Sequence, residues 1–311
     1  MAARIVIGFD GTDSGEDALA LGMLLARATR AVPLVVVVHP QEYPIGVGRV
    51  DAEWVAYMHE RATELLGRAR RLVGEDAVAE FREVSAPSES RGLHELAEQE
   101  QAELVVVGSS HRGPLGRTYP GSTGDRLLQG SACTVAVAPR GLREQPPAGL
   151  GRIAVAFLGT PEAHQALDTA ADLAERAGAR LRLLSVMPSP AEVFMPVVGR
   201  DAEEAFVAST RELFRRALDD ALARVADRVE ADAELLEGDV VDTLATVDRR
   251  DADLLVCGSR AYGPLRRVLL GGVSSRLLHR AALPLLVVPR GADVAGAEAA
   301  LGGHAAGVVS A

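Results

Sequence analysis

The chain has 311 residues, with 33 basic against 43 acidic side chains, a formal net charge of −10 and an isoelectric point near 5.3. That balance speaks against DNA or RNA as a partner, because phosphate backbones are held by an excess of basic charge. With only 4% aromatic residues there is also little on which to stack bases.

All of the Lys+Arg count is arginine: the sequence contains no lysine and no asparagine. A Walker-A lysine, a Schiff-base lysine and an N-glycosylation acceptor are thereby excluded. The two cysteines, Cys133 and Cys257, lie in or beside apolar runs, which predicts buried, reduced thiols rather than a disulfide framework. Met1–Arg4 runs straight into the strand-like Ile5–Gly8, with no charged region leading into a long apolar stretch. No apolar run approaches the roughly 20 residues of a membrane span. The expectation is a soluble, cytoplasmic protein without membrane contact.

In chain order, a β-branched run (Ile5–Phe9) comes first. An amphipathic helix follows, in which Leu21, Leu24, Leu25 and Ala28 share one face. Next come a second apolar run (Leu34–Val38), a long helix carrying Val55, Met58, Ala62, Leu65, Ala69 and Leu72, and a third run (Phe81–Val84). A short helix, the run Leu104–Val107, a glycine-bearing loop, a further helix and a last strand (Thr134–Ala138) complete the half. The second half repeats this order. Its strands are expected at Ile153–Phe157, Leu181–Val186, Ala233–Leu236, Leu254–Cys257 and Leu285–Val288, and its long helix carries Phe206, Leu213, Phe214, Ala217, Ala221 and Val225.

The repetition extends to individual residues. Arg4–Thr12 matches Arg152–Thr160, Leu104–Ser109 matches Leu254–Ser259, Gly113-Pro114-Leu115 recurs as Gly263-Pro264-Leu265, and Val137–Gly141 recurs as Val287–Gly291. So long a period is a duplicated domain rather than a solenoid. The expected organisation is a first domain at 1–141, a linker at 142–151 holding Pro146-Pro147, a second domain at 152–291, and a disordered tail at 292–311. Apolar runs that do not alternate, separated by helices, are strands buried on both faces. The fold class is therefore α/β: two tandem doubly wound domains, each a five-stranded parallel sheet with helices on both faces. Ligands in such sheets bind outside the carboxyl ends of the strands.

There the first half reads Gly108-Ser-Ser-His111-Arg-Gly113 and, further on, Gly121-Ser122-Thr123 before a helix. The second half reads Gly258-Ser-Arg-Ala261 and Gly271-Gly272-Val273. Glycines let backbone approach an anion, and backbone N–H groups at a helix start are free to meet phosphate oxygens.

This pattern resembles the universal stress protein family, whose members carry a glycine, two residues, a second glycine, nine residues, then glycine followed by serine or threonine, with an aspartate ending strand one. The resemblance spans nearly all of both halves and implies the adenine nucleotide alpha-hydrolase-like fold. In ATP-binding members the loop wraps phosphates and ribose, while the aspartate and the end of strand two meet ribose and adenine. Carried over, the resemblance points to Asp10, Gly11, Thr12, Pro40, Gly108, His111, Gly121, Ser122 and Thr123 as a site for ATP, with magnesium held through its phosphates. His111 stands where the second glycine belongs, and Pro40 offers no N–H at the adenine position.

The second half supplies a weaker set, Val186, Gly258, Gly271, Gly272 and Val273. There Ala261 replaces a glycine, Gly272 the serine and Leu158 the aspartate. The bland alternatives are that Asp10 caps the helix after it, that the arginines of the loop are solvated, and that Tyr119 and Tyr262 pack.

Three functions stay open: a nucleotide-responsive binding module, a stress-linked interaction scaffold without nucleotide, and a slow ATPase. The last lacks a lysine clamp, a recognisable base and a magnesium carboxylate pair. No zinc-type spacing joins the scattered histidines. The family habit of pairing through the last strand implies an internal pseudo-dimer, Thr134–Ala138 meeting Leu285–Val288, with a homodimer of chains left open.

Overall fold

The computed structural model describes residues 3–40, 52–75, 77–189, 200–259 and 272–289. Ala261, Tyr262, Gly263–Leu265, Gly271, Gly291 and the expected tail 292–311 lie outside these described residues.

The first half contributes strands β1 (Arg4–Gly8), β2 (Val32–Pro40), β3 (Glu80–Ala86), β4 (Leu104–Gly108) and β5 (Thr134–Ala138). Between them run helices α1 (Asp13–Thr29), α2 (Ala52–Val73), α3 (Glu89–Gln99) and α4 (Ser122–Leu127). The second half repeats the order with β6 (Arg152–Ala156), α5 (Pro161–Ala177), β7 (Arg180–Met187), α6 (Arg200–Val225), β8 (Ala231–Glu237), α7 (Val240–Ala245), β9 (Leu254–Gly258), α8 (Gly272–Leu277) and β10 (Leu285–Val288).

All ten strands form a single sheet in the order β3-β2-β1-β4-β5-β10-β9-β6-β7-β8. Within each half every pairing is parallel. The halves meet where β5 and β10 pair antiparallel, Leu285 opposite Val137, Leu286 opposite Ala136 and Val287 opposite Val135. The internal pseudo-dimer is thus present. Both junction strands are buried along their whole length, as strands in the middle of a doubly covered sheet must be.

Two helix layers cover the sheet. One core joins Ile5, Ile7, Val35, Val37, Ile153 and Val155 to the apolar faces of α1, α2, α5 and α6. The other joins Val6, Leu34, Val36, Val105 and Val107 to α3, α4, α7 and α8. The division follows the strand pleat, which sends successive side chains to opposite faces.

Local signals position the helices. Thr12 caps α1, its Oγ1 accepting from the Gly15 N–H, with Asp13 and Glu16 in the first turn. Thr160 caps α5 in the same way, Pro161 opens that helix, and Gly178 ends it with a positive φ of 65°.

Helix α6 departs from the sequence expectation. Ala221 and Val225 are buried, but Phe206 and Leu213 are exposed. At about 100° per residue the covered stripe of α6 runs through Phe214, Ala217, Leu218, Ala221 and Val225, and Phe206 and Leu213 fall on its flank, turned away from the sheet.

The segment expected as a linker begins as a folded turn, a 3₁₀ helix at Leu142–Glu144 with Leu142 in the core. The fully buried carboxylate of Asp17 on α1 accepts from the N–H groups of Gly141 (2.8 Å) and Arg143 (2.9 Å), and from the Arg143 guanidinium. A buried charge is tolerable only when so satisfied. At the far end of the segment, Asp253 Oδ2 accepts from the N–H groups of Gly151 and Arg152.

Cys257 is fully enclosed, and burial pushes its thiol up to about 12, partly offset by a hydrogen bond with Ser274. Burial also raises the Cys133 thiol. At pH 8 the thiolate fraction of Cys257 is about one in ten thousand, against about a quarter for an ordinary thiol. Ellman's reagent at pH 8 is therefore expected to leave Cys257 unmodified in native protein and to titrate both thiols in guanidinium. Rapid native reaction at Cys257 would show that the second-half core is open.

Candidate functional site

At the carboxyl ends of β1, β2 and β4 lies a cleft of about 640 Å³, within the range of small-molecule sites. Among the residues predicted from sequence, Asp10, Thr12, Gly108, His111, Gly121, Ser122 and Thr123 all line it. Gly11 and Pro40 do not belong to its lining. Gly11 makes the turn into α1 with a φ of 75°, and its carbonyl accepts from Arg68 of α2 at 2.8 Å. Pro40 is exposed at the end of β2, while Val36 and Val38 of that strand reach the cleft. Glu89, Leu93 and Asp125 are lining residues that the loop motif gave no means of finding; they arrive on α3 and α4.

The two motif glycines have different reasons. A side chain at Gly108 would fall onto the carbonyl of Ser14, so this glycine lets the first turn of α1 lie against the end of β4. Gly258 does the same job in the second half, where an added Cβ would meet the Glu162 carbonyl at 2.7 Å. Packing alone accounts for both. Gly121 is another case. Its φ is −86°, and an added Cβ would find only Ser110 Cβ, at an ordinary 3.7 Å. Neither backbone strain nor protein packing requires glycine there; what a side chain would take up is space in the cleft.

His111, in place of the motif's second glycine, has no positive φ, so the histidine is accommodated without strain. It is exposed at the cleft rim beside Arg112.

The acidic groups are partly committed. Asp10 Oδ1 accepts from the Thr12 N–H (2.9 Å) and the Thr12 hydroxyl (2.6 Å), which fixes the turn ahead of α1. The Thr123 hydroxyl donates to Glu89 at 2.7 Å, tying α4 to α3. Burial holds the Asp125 carboxyl above its ordinary range, opposed by the nearby His279 imidazole of the second domain. With Asp10, Asp13, Glu89 and Asp125 against Arg112, the cleft carries more negative than permanent positive charge.

The loop from Ser109 to Gly121 is held by protein groups on both sides. Ser110 N–H donates to the Tyr119 carbonyl (2.7 Å), Tyr119 N–H to Ser109 Oγ (2.9 Å), and Gly116 N–H to the Arg140 carbonyl (2.9 Å). Its far side is fastened to the second domain. Thr118 N–H donates to the Ala281 carbonyl at 2.9 Å, and Arg117 Nη1 to the carbonyls of Ala245 (2.8 Å) and Arg280 (2.7 Å). Tyr119 meets His279 edge to face, with ring centroids 4.8 Å apart.

In the second half, Leu158 is exposed where Asp10 stands in the first. Val186 is buried, Gly272 is exposed and Val273 half-buried. Gly271 lies outside the described residues, as does the rest of the loop from Arg260.

The model of the universal stress protein family matches residues 1–139 and again 149–289. The chain belongs to the universal stress protein family. Its relatives include the universal stress proteins Rv2319c and Rv2005c of Mycobacterium tuberculosis. Each is 28% identical to this chain, covering 92% and 91% of it and 99% and 96% of their own lengths. Among solved structures, a universal stress protein from Archaeoglobus fulgidus superposes with a TM-score of 0.64 at 19% identity, covering 93% of this chain and 97% of its own. The tandem arrangement is thus shared at full length. No helix among the described residues is long and apolar enough to cross a membrane.

Arg117 fastens the loop to the second domain through charge-assisted bonds to carbonyls. Arg117→Ala is expected to cost about 1–2 kcal/mol and lower the melting temperature by several degrees. Arg126→Ala, at an exposed position on α4, should stay within about 0.5 kcal/mol of wild type. Equal melting temperatures for Arg117→Ala and wild type would show that the fastening contributes nothing to stability.

Proposed function

We propose that this universal stress protein binds an adenine nucleotide, ATP, in the first-domain cleft, and that occupancy stabilises one state of the paired domains. The observation that carries this reading is Gly121, a glycine demanded by neither backbone nor packing, set at the mouth of a cleft of about 640 Å³ that also gathers Asp10, His111 and Ser122. In this assignment the backbone around Gly121–Thr123 meets the phosphates, with Arg112 and His111 at the rim. Asp10 faces the ribose, and Val36 and Val38 offer an apolar wall to the base. Magnesium fits the donor set as an oxygen-liganded ion held chiefly by the nucleotide phosphates, which would offset the excess of carboxylates around the cleft. The second domain, with Leu158 for the aspartate and Gly272 for the serine, serves in this reading as structural mate rather than as a second site.

One observation favours the alternative of an interaction scaffold without nucleotide. The loop is held by the chain's own groups, from Ser110 to Tyr119 and from Thr118 to Ala281.

Calorimetric titration of ATP with magnesium separates the two. Binding of about one equivalent, weakened at least about tenfold (1.4 kcal/mol) in Gly121→Val, is the expected outcome. The Cβ at this position has room, so Gly121→Val should melt near wild type, which makes it a cleaner probe than Asp10→Ala. Absence of binding by wild-type protein at millimolar ATP would leave the scaffold reading standing.

A further inference from the structure

We propose that His39, His59 and Glu83 form a site for one divalent transition-metal ion of the zinc or cobalt class, on the α2 side of the sheet and separate from the nucleotide cleft. The three residues come from three elements, β2, α2 and β3, and their ligand atoms all lie within 4.8 Å of one another. Parallel pairing sets Glu83 beside Val37 and Ser85 beside His39. The pleat turns Val35 and Val37 toward the α2 layer, and His39 follows in the same alternation.

The chemistry of the donors is specific. Two imidazoles and one carboxylate suit zinc, cobalt or nickel, whereas magnesium and calcium prefer oxygen-only sets. His39 is buried, and its Nδ1 lies 3.2 Å from the Pro40 carbonyl. In the tautomer that donates from Nδ1 to this carbonyl, Nε2 keeps its lone pair for a metal. Orientation of a metal-binding imidazole by a backbone carbonyl is the usual support for such a ligand.

His59 Nδ1 and Glu83 Oε1 are 3.0 Å apart. Two tetrahedral ligands of zinc stand about 3.3 Å apart, so this pair already has the spacing of neighbours on one ion, the metal taking the place of the bridging proton. With all the ligand atoms within 4.8 Å of one another, at most about 1.5 Å of side-chain movement brings them to zinc spacing. His59 and Glu83 are both exposed and free to supply it. The two rings sit edge to face with centroids 4.8 Å apart, so they approach without blocking each other. The remaining coordination positions would belong to water.

The site needs nothing from the nucleotide reading. Val36 and Val38, not His39, line the cleft.

The test is titration of cobalt(II), followed by its visible absorption, and of zinc by calorimetry. It uses tag-free, chelator-stripped full-length protein in the absence of nucleotide. One ion per chain is expected, with a rise in melting temperature on saturation. His59→Ala and Glu83→Gln should each weaken binding at least about tenfold, the loss found when even a residue that only orients a metal ligand is removed. Both side chains are exposed, so the variants should fold, which circular dichroism checks. His94→Ala, removing the histidine paired with Glu98 on α3, should bind as wild type. Failure of wild type to bind cobalt or zinc would overturn the proposal. So would full affinity in either His59→Ala or Glu83→Gln.

Discussion

The antiparallel pairing of β5 with β10 is the contact on which the rest of the molecule depends. Every residue of both strands is buried, so neither half could end there against water without exposing an apolar edge with unpaired backbone groups. Pairing removes both edges at once. Because chain direction reverses at that seam, the carboxyl ends of the first domain's strands lie beside the amino ends of the second domain's. That geometry brings the loop Ser109–Gly121 against residues 279–281, where Arg117, Thr118 and Tyr119 find their partners. It also brings α1 and α5 into one helix layer over a shared core, with Asp17 clamping the start of the connecting segment.

A homodimer encodes both halves in one sequence, so any substitution strikes both sites. Here the copies are free to differ. The first half keeps Asp10, Gly121 and Ser122, while the second has Leu158 and Gly272 at two of the corresponding places. Covalent linkage keeps the second domain at high effective concentration beside the first whatever happens to its own cleft. The second domain's contribution to the first cleft is then support: carbonyls for Arg117, an imidazole near Asp125, and the far side of the sheet.

Much of this was legible from residues alone. Unbroken apolar runs announced buried parallel strands, and the repeat at long offset announced the duplication. The strand-one aspartate and the loop motif placed Asp10, Gly108, His111, Gly121, Ser122 and Thr123 where the structure forms the cleft. What escaped has physical reasons. Arg117 bonds to backbone carbonyls of Ala245 and Arg280, and a carbonyl leaves no mark in a sequence. Asp17 reads as one more acid on a helix until the turn at Gly141–Arg143 folds over it. Gly11 follows Asp10 in the chain, but its turn faces α2, where its carbonyl accepts from Arg68. His39, His59 and Glu83 are 20 and 24 residues apart along the chain and meet only once α2 is laid across the register of β2 and β3. Phe206 and Leu213 keep a seven-residue spacing with each other, but the face that packs is the neighbouring one through Phe214, Leu218, Ala221 and Val225.

Among the described residues the sheet has two free margins, β3 and β8. β3 carries Glu80, Arg82 and Glu83, and β8 carries Asp232, Glu234 and Glu237. Arg4 and Arg82 gather around Glu80 and Glu100 at one margin, and Arg182 meets Glu234 and Asp232 at the other. An incoming strand would have to strip water from these ions before gaining a ladder of backbone bonds, which disfavours further pairing at either margin. Each margin thus carries its own electrostatic deterrent to edge-to-edge pairing.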